Sequence, residues 1–296
     1  MTTAAAPEVL SLAHGADCCS VIPEIGGSIG AWTINGQAML RRASASSIAA
    51  RDPLGMASFP LVPYSNRIAH GEFEWKGRRV RLEQNFPPEP YSIHGVGYRR
   101  PWRVDALTKD SVELALSHLP DPDWPWAFEA RQRIRLREGL LQLDLRVANL
   151  ADHPAPLGFG HHPYFPKRGA RLTFRSEGVW LVDRGGLPTE RVAPSGAYDY
   201  SRGLHVEHQQ IDNCFSEWSG SAHVEWDGQP LALEIIGSQD LPHAVVYSSA
   251  ELEDFCFEPV PHVNNAINRP DQRSHMPIVE PGEAFSASIR FRSRPR

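Results

Sequence analysis

Residues 131–147, RQRIRLREGLLQLDLRV, contain two short strands joined by a tight turn. Side chains of a strand alternate between its two faces, so apolar residues at every second position line one face. That face carries Ile134, Leu136, Leu141, Leu143, Leu145 and Val147. Glu138-Gly139 lies between the two apolar runs and provides the turn of an antiparallel hairpin. The stretch therefore predicts β structure with one buried face.

The same pattern recurs along the chain. Turns are predicted at Lys76-Gly77, Lys109-Asp110 and Asp227-Gly228, and the last apolar run alternates as Phe285, Ala287, Ile289 and Phe291. The 23 glycines and 26 prolines are scattered, which leaves no long amphipathic helix. We therefore predict an all-β protein of mostly antiparallel strands, arranged as a large sandwich. Since no shift in composition marks a boundary, residues 1–296 are predicted to form a single domain.

Composition excludes several classes of protein. With 41% hydrophobic and 22% charged residues, the chain is typical of a globular protein rather than a disordered one. A net charge of −5 argues against general binding to nucleic acid or to a membrane surface. Four cysteines are too few for a disulfide framework in a chain of 296 residues. No segment approaches 18 apolar residues, so we predict a cytoplasmic protein that does not span a membrane.

Polar residues cluster in five turn-rich stretches that a sandwich does not need for folding. In chain order these are residues 63–68 (PYSNRI), 93–95 (IHG), 158–165 (GFGHHPYF), 212–215 (DNCF) and 255–259 (FCFEP). The last stretch is the most informative, because Phe255 and Phe257 face one way and Cys256 and Glu258 face the other. Pro259 then ends the strand.

Glu258 therefore lies at the tip of a predicted core strand, and two interpretations are open. Partial burial would raise the pKa of its carboxyl group and suit it to general base catalysis. Alternatively, it is a structural carboxylate paired with a nearby arginine, which residue type alone favours. In the same way, Arg67 alone is compatible with an ordinary ion pair, and His94 alone with a core histidine that the backbone satisfies.

The histidines do not indicate a metal site. His161 and His162 are adjacent, and on an extended backbone their side chains point apart, so at most one enters a given pocket. His-Glu-x-x-His and paired Cys-x-x-Cys motifs are absent from the sequence. A glycine-rich phosphate loop and a Gly-x-Ser-x-Gly nucleophile elbow are absent as well. The sequence therefore predicts no metal and no cofactor.

Five short motifs, taken in order, resemble the aldose 1-epimerase (galactose mutarotase) family. They are Asn66-Arg67-Ile68, His94-Gly95, His162-Pro163-Tyr164-Phe165, Asp212-x-x-Phe215 and Glu258-Pro259. Each is weak alone, but five in the same order over an all-β chain are specific. The similarity runs from about Gly26 to Phe291 and implies a β-supersandwich with an open sugar-binding cleft.

The resemblance also implies roles for individual residues. Glu258 is similar to the general base that removes the proton of the anomeric hydroxyl, and His162 is similar to the acid that protonates the ring oxygen. Arg67, His94 and Asp212 are similar to residues that bind the sugar. The expected protein is a cofactor-independent mutarotase that interconverts the α and β anomers of a free aldose, with a monosaccharide as its partner.

The preferred sugar and three alternative functions remain open. The best-known galactose-specific branch usually has Thr where this chain has Pro163, so a preference for galactose is not implied. A phosphosugar-specific epimerase would use Arg67, Arg99 and Arg100 as a phosphate clamp. A carbohydrate-binding or sugar-sensing protein would use the same cleft without catalysis. The third alternative is a polysaccharide lyase or glycosidase, and hydrolysis would need two carboxylates at a suitable separation, for which only Glu258 and Asp212 are available.

Overall fold

The computed structural model describes residues 5–271 and 276–296. Within these residues the chain forms strands, one short α-helix and five 3₁₀ turns. The first twelve strands are β1 (Leu10–His14), β2 (Asp17–Ile22), β3 (Ser28–Ile34), β4 (Gln37–Leu40), β5 (Ser58–Leu61), β6 (Arg67–Ala69), β7 (Glu72–Trp75), β8 (Arg78–Arg81), β9 (Tyr91–Ile93), β10 (Arg103–Leu107), β11 (Ser111–His118) and β12 (Phe128–Arg137).

The remaining strands are β13 (Leu140–Asn149), β14 (Ala155–Pro156), β15 (Gly160–Pro166), β16 (Ala170–Val182), β17 (Pro188–Val192), β18 (Leu204–His205), β19 (Ile211–Trp226), β20 (Leu231–Gly237), β21 (His243–Ser248), β22 (Asp254–Val260), β23 (Ile278–Val279) and β24 (Ala284–Pro295). The α-helix is α1 (Ala45–Ala49), and the 3₁₀ turns are Pro53–Gly55, Gly97–Arg99, Gly196–Tyr198, Tyr200–Arg202 and Ala266–Asn268. No helix in the described ranges is both long and apolar enough to span a membrane.

The predicted hairpin is formed by β12 and β13, which pair in antiparallel register. Ile134 lies opposite Leu143, and Leu136 lies opposite Leu141. Gly139 closes the turn with a φ of +63°. The six apolar side chains of the hairpin are buried in the core, as the period-two pattern predicts.

The opposite face of this hairpin carries paired charges. Arg133 contacts Glu113 at 3.3 Å, and Arg135 contacts Asp144 at 2.7 Å. Similar pairs follow along the strand. Because both partners are partly exposed, each pair contributes little to stability, on the order of 0 to 1 kcal/mol. This face is therefore a solvated surface, while the other face builds the core.

Strand β15 joins two parts of an 18-stranded network. Its first four residues pair with β5, where His162 lies opposite Phe59. Its last three residues pair with β22, where Tyr164 lies opposite Cys256. Continuing the second register by two residues places His162 opposite Glu258. Since side chains alternate, His162 and Tyr164 project to the same side.

Pairing across four strands aligns further side chains with this face. Asp212 on β19 lies opposite Tyr247 on β21, and Tyr247 lies opposite Cys256 on β22. Cys256 in turn lies opposite Tyr164 on β15. Residues that are directly opposed in a sheet project to the same side. The register therefore brings Asp212, Tyr247, Cys256 and Tyr164 to one face. Glu258 is two residues after Cys256 on β22, so it projects to the same face.

A hydrogen bond joins the loop at Asn66 to the loop at His94, at one end of this face. The backbone N–H of His94 donates to the carbonyl oxygen of Asn66 at 3.0 Å. Gly95 follows with a φ of +69° and lies so close to the next segment that an added Cβ would be 2.3 Å from the carbonyl oxygen of Val62. Glycine is therefore required at position 95 both for its backbone conformation and for this close approach.

We expect Gly95→Ala to lower the free energy of unfolding by at least twice as much as Gly77→Ala. Both glycines have a positive φ, which costs a non-glycine residue roughly 1 to 2 kcal/mol. An added Cβ at Gly77 has no heavy atom within 4 Å, whereas at Gly95 it collides with backbone. Urea unfolding of both variants measures the difference, and equal losses would contradict the close approach.

Candidate active site

A cavity of about 250 Å³ opens at this face. All five residues that the sequence singled out border it: Arg67, His94, His162, Asp212 and Glu258. The other bordering residues are Arg41, Leu54, Phe59, Asn66, Phe86, Glu89, Ile93, Tyr164, Tyr247 and Leu252. The structure therefore brings together residues that are separated by as much as 191 positions, from Arg67 to Glu258.

The centre of the cavity wall is the contact between His162 and Glu258. Nε2 of His162 lies 3.3 Å from Oε1 of Glu258, and the two side chains are only 8% and 2% exposed. Burial raises the pKa of Glu258 well above its usual range, and the charge of Asp212 adds to this effect, while Arg67 opposes it. Burial lowers the pKa of His162. Both shifts favour the uncharged forms, a protonated carboxyl group beside a neutral imidazole.

The ring of His162 is fixed by stacking. It stacks against both Phe59 and Tyr164, with each ring centroid 4.7 Å away and interplanar angles of 29° and 20°. The guanidinium carbon of Arg41 lies 3.5 Å from the centroid of the Tyr164 ring. Aromatic and cation–π contacts of this kind hold a ring in one plane. Only the nitrogen atoms at the ring edge remain available for proton transfer.

His94 is held in one tautomer. Its Nδ1 accepts a hydrogen bond from the backbone N–H of Asn66 at 3.1 Å. Burial lowers the pKa of His94 to about 3, so the ring is neutral near pH 7. Since Nδ1 is an acceptor, the single ring proton resides on Nε2. His94 is thus satisfied by backbone on one side, as a core histidine would be, and offers a neutral N–H donor on the other.

Arg67 is clamped between two carboxylates. Its Nε and Nη2 donate to Glu89 at 2.8 and 3.3 Å, and its Nη1 donates to Asp212 at 2.9 Å. Burial raises the pKa of Asp212, although Arg67 opposes the shift. Paired contacts of this geometry orient the guanidinium plane as well as neutralising it. The clamp therefore sets the position of Asp212 at the cavity wall.

Comparison with known proteins identifies the family. The family model for aldose 1-epimerase matches residues 8–292. The chain belongs to the aldose 1-epimerase family. A curated relative, the uncharacterized protein YphB of Escherichia coli K12, is 26% identical over 294 residues, which cover 96% of this chain and 98% of the relative.

Solved structures share the family fold. A crystal structure of a protein from Escherichia coli K12 matches with a TM-score of 0.90 and 24% identity, covering 98% of this chain and 99% of that one. The galactose 1-epimerase of Lactobacillus acidophilus NCFM matches with a TM-score of 0.79 and 17% identity, covering 97% and 94%. The prediction of an all-β, galactose-mutarotase-like β-supersandwich of mostly antiparallel strands is confirmed.

His161 has a different environment from its neighbour in this aldose 1-epimerase family member. Its Nδ1 contacts the hydroxyl of Ser58 at 2.5 Å, and its Nε2 contacts Oε1 of Gln132 at 3.1 Å. Both contacts lie on the core side of β15. The two adjacent histidines therefore diverge, as expected for an extended strand.

Two of the arginines considered for a phosphate clamp do not reach the cavity. Arg100 donates to Asp121 and Asp123 at 2.5 and 2.9 Å. Arg99 contacts Asp123 at 3.5 Å. The clamp inferred for Arg67, Arg99 and Arg100 is thus wrong in this structure, because their local carboxylates hold the last two elsewhere.

Among the bordering residues with polar side chains, Arg41, Glu89 and Tyr247 were missed from the sequence. Tyr247 lies on β21, where five of the six residues are buried, so no alternation sets it apart. Arg41 follows β4 and Glu89 lies in an irregular loop, so no periodic pattern marks either residue. Their positions depend on long-range contacts that the local sequence does not encode.

A larger groove of about 520 Å³ lies on the charged face of the sheet. Its lining includes Arg131, Arg133 and Asp144, which belong to the exposed pairs already described. Such solvated pairs contribute little free energy and offer no buried proton donor. The smaller cavity is therefore the better candidate for catalysis.

The buried histidines predict how stability depends on pH. Burial lowers the pKa of His94 and His161 to about 3 and that of His262 to about 4, whereas an unfolded histidine titrates near 6.5. Below pH 6.5 the unfolded chain therefore binds protons that the folded chain does not.

We expect the free energy of unfolding to fall as the pH is lowered from 7 to 5, by up to roughly 1.4 kcal/mol per pH unit for each of the three histidines. Urea unfolding at several pH values measures the slope. In the variant His94→Gln one of the titrating groups is absent, so the slope should decrease by about one histidine's share. A slope that is flat, or unchanged in the variant, would contradict the buried neutral imidazoles.

Proposed function

We propose that the protein is a mutarotase, an isomerase that interconverts the α and β anomers of a free aldose. Glu258 and His162 are the catalytic pair, and Arg67, His94 and Asp212 bind the sugar. The observation that carries the proposal is the buried 3.3 Å contact between the imidazole and the carboxyl group. Membership of the aldose 1-epimerase family supports it.

The reaction needs a proton acceptor and a proton donor side by side. Ring opening removes the proton of the anomeric hydroxyl and delivers a proton to the ring oxygen. Both oxygen atoms are bonded to the same carbon, so the acceptor and the donor must be neighbours. Glu258 and His162 meet this requirement. Each transfer contributes typically 10²- to 10⁴-fold, or about 3 to 5 kcal/mol of the barrier.

Glu258 and His162 share one transferable proton throughout the proposed reaction. In the sugar-free protein it resides on Glu258. When the anomeric hydroxyl donates a hydrogen bond to this carboxylate, the anion is stabilised and the proton passes to His162. Glu258 then takes the hydroxyl proton while His162 gives its proton to the ring oxygen. Rotation about the C1–C2 bond and the reverse transfers close the other anomer, so the pair again holds one proton.

The remaining bordering groups suit an uncharged sugar. His94 offers an N–H donor, and Asp212 offers a carboxylate acceptor. Both bordering arginines are paired with carboxylates, Arg67 with Glu89 and Asp212, and Arg41 with Asp254 at 3.6 Å. Neutralised arginines bind a phosphate group weakly. This charge balance favours a free aldose over a phosphosugar.

The carbohydrate-binding alternative is less well supported. A binding protein needs hydrogen-bond donors and acceptors for sugar hydroxyls, but it does not need a buried proton donor and acceptor in contact. Keeping Glu258 buried costs free energy, because its charged form loses its hydration. A catalytic role would explain why a carboxyl group is kept buried despite this cost.

We expect Glu258→Gln to lower kcat by at least roughly 10²-fold, with a much smaller change in sugar affinity, because the amide keeps the shape but cannot accept the proton. His162→Asn should act likewise. The double variant should lose far less than the product of both losses, because the two groups serve one relay.

Polarimetry on freshly dissolved glucose, galactose, xylose and arabinose measures these rates and selects the preferred sugar. Glu253→Gln is the matched control, since Glu253 is exposed and precedes the same strand. Near-normal rates for Glu258→Gln across the panel would make Glu258 a structural carboxylate and would favour the binding protein.

We also expect a strong chelator to leave the rate undiminished. The two proton transfers require only the carboxyl and imidazole groups, so the chemistry has no step that needs a metal. The same polarimetric assay before and after chelation checks this. A loss of activity that added zinc restores would show that the histidines had been misinterpreted.

A further inference from the structure

Cys256 is a buried thiol that the proposed reaction does not use. It lies two residues before Glu258 on β22, so both side chains project to the same face of the strand. It is not in a disulfide bond. Ligand atoms of His162, Cys256 and Glu258 all lie within 4.8 Å of one another, and all three residues are buried.

This arrangement resembles a three-ligand metal site. Zinc binds thiolate, imidazole and carboxylate groups at about 2.0 to 2.3 Å, which puts neighbouring ligand atoms of a tetrahedral site roughly 3.3 to 3.8 Å apart. His162 Nε2 and Glu258 Oε1 are already 3.3 Å apart. Sγ of Cys256 lies within 4.8 Å of the other two ligand atoms and supplies the third donor. A fourth position stays open toward the cavity, because His162 and Glu258 border it.

A second observation points to a ligand at the same place. Among the described residues, Oε2 of Glu258 is buried without a hydrogen-bond partner. Buried polar atoms are almost always satisfied, so unpartnered ones indicate a bound group. A sugar satisfies such atoms during catalysis, and a metal ion that ligates the pair would do so in its place.

We propose that His162, Cys256 and Glu258 form an inhibitory site for a borderline divalent metal ion such as zinc. The ion occupies the place of the shuttled proton, so His162 can no longer protonate the ring oxygen and Glu258 can no longer accept a proton. Metal and sugar therefore compete. On binding, the protons of the thiol and of the carboxyl group are released to the solvent.

The sequence does not predict this site, because Cys256 and Glu258 are separated from His162 by more than ninety residues. Hard ions such as magnesium are poor candidates, because a thiolate is a soft ligand. The site is also distinct from a catalytic metal centre, because the proposed proton transfers need no metal.

The test is calorimetric titration of chelator-treated full-length protein with Zn²⁺. We expect one zinc ion per chain for the unmodified protein. In Cys256→Ala the affinity should fall at least about tenfold, as loss of even an outer-shell partner costs about that much. With Co²⁺ in place of Zn²⁺, a thiolate-to-cobalt charge-transfer absorption band should appear in the unmodified protein and be absent from the variant.

Cys214→Ala is the matched control. Cys214 is also buried and lies across two strands from Glu258, opposite Val245, but it is not one of the three clustered residues. Its removal should leave zinc affinity and the cobalt band unchanged. Cys256→Ser keeps nearly the same volume and serves if the alanine variant fails to fold. Unchanged zinc affinity in a folded Cys256 variant, or absence of zinc binding to the unmodified protein, would overturn the proposal.

The proposed inhibition by zinc rests on the proposed mutarotase function, and it is measured separately from zinc binding. In polarimetry, added Zn²⁺ should raise the apparent KM of the unmodified protein and of Cys214→Ala, but not of Cys256→Ser. The metal-free rates of the three proteins should agree. Zinc that binds through Cys256 without affecting KM would refute the inhibition alone. Absence of anomerisation would refute the mutarotase, while the calorimetric and cobalt results would still decide the metal site.

Discussion

The contact between His162 and Glu258 depends on the register between β15 and β22, in which Tyr164 lies opposite Cys256. Because a strand has a period of two, a shift by one residue would turn His162 into the core and His161 toward the cavity. The hydrogen bonds of His161 to Ser58 and Gln132 on the core side oppose such a shift. The same register that packs the core therefore sets the geometry of the site.

Burial gives this contact its chemical character. On the solvated face of the sheet, carboxylates pair with arginines and keep their charge at little cost. In the cavity, by contrast, Glu258 is almost fully removed from water, so the neutral acid beside a neutral imidazole is favoured. Stacking against Phe59 and Tyr164 holds the imidazole ring in one plane beside the carboxyl group. In the proposed reaction, a proton moves between these two groups away from bulk solvent.

The same features make the pair a potential ligand set for a metal ion. A proton relay needs a basic nitrogen and a carboxylate oxygen close together in a dry pocket, and a divalent ion selects the same atoms. The thiol of Cys256 adds a soft donor one pleat away. Proton transfer and metal binding, as proposed, are opposed uses of one geometry, in which the Cys256 thiol sets how strongly the ion competes.

The sequence by itself determined the fold class, because alternation such as that of residues 131–147 is local and a strand encodes its buried face within a few residues. Ordered motifs also pointed to the family and to five candidate site residues, whose roles stay proposals. Only the tertiary structure decided that Arg41, Glu89 and Cys256 lie at or beside the same cavity and that Arg99 and Arg100 do not. These positions, and the pKa shifts of Glu258 and His162, arise from burial and from contacts between distant segments, which no local pattern records.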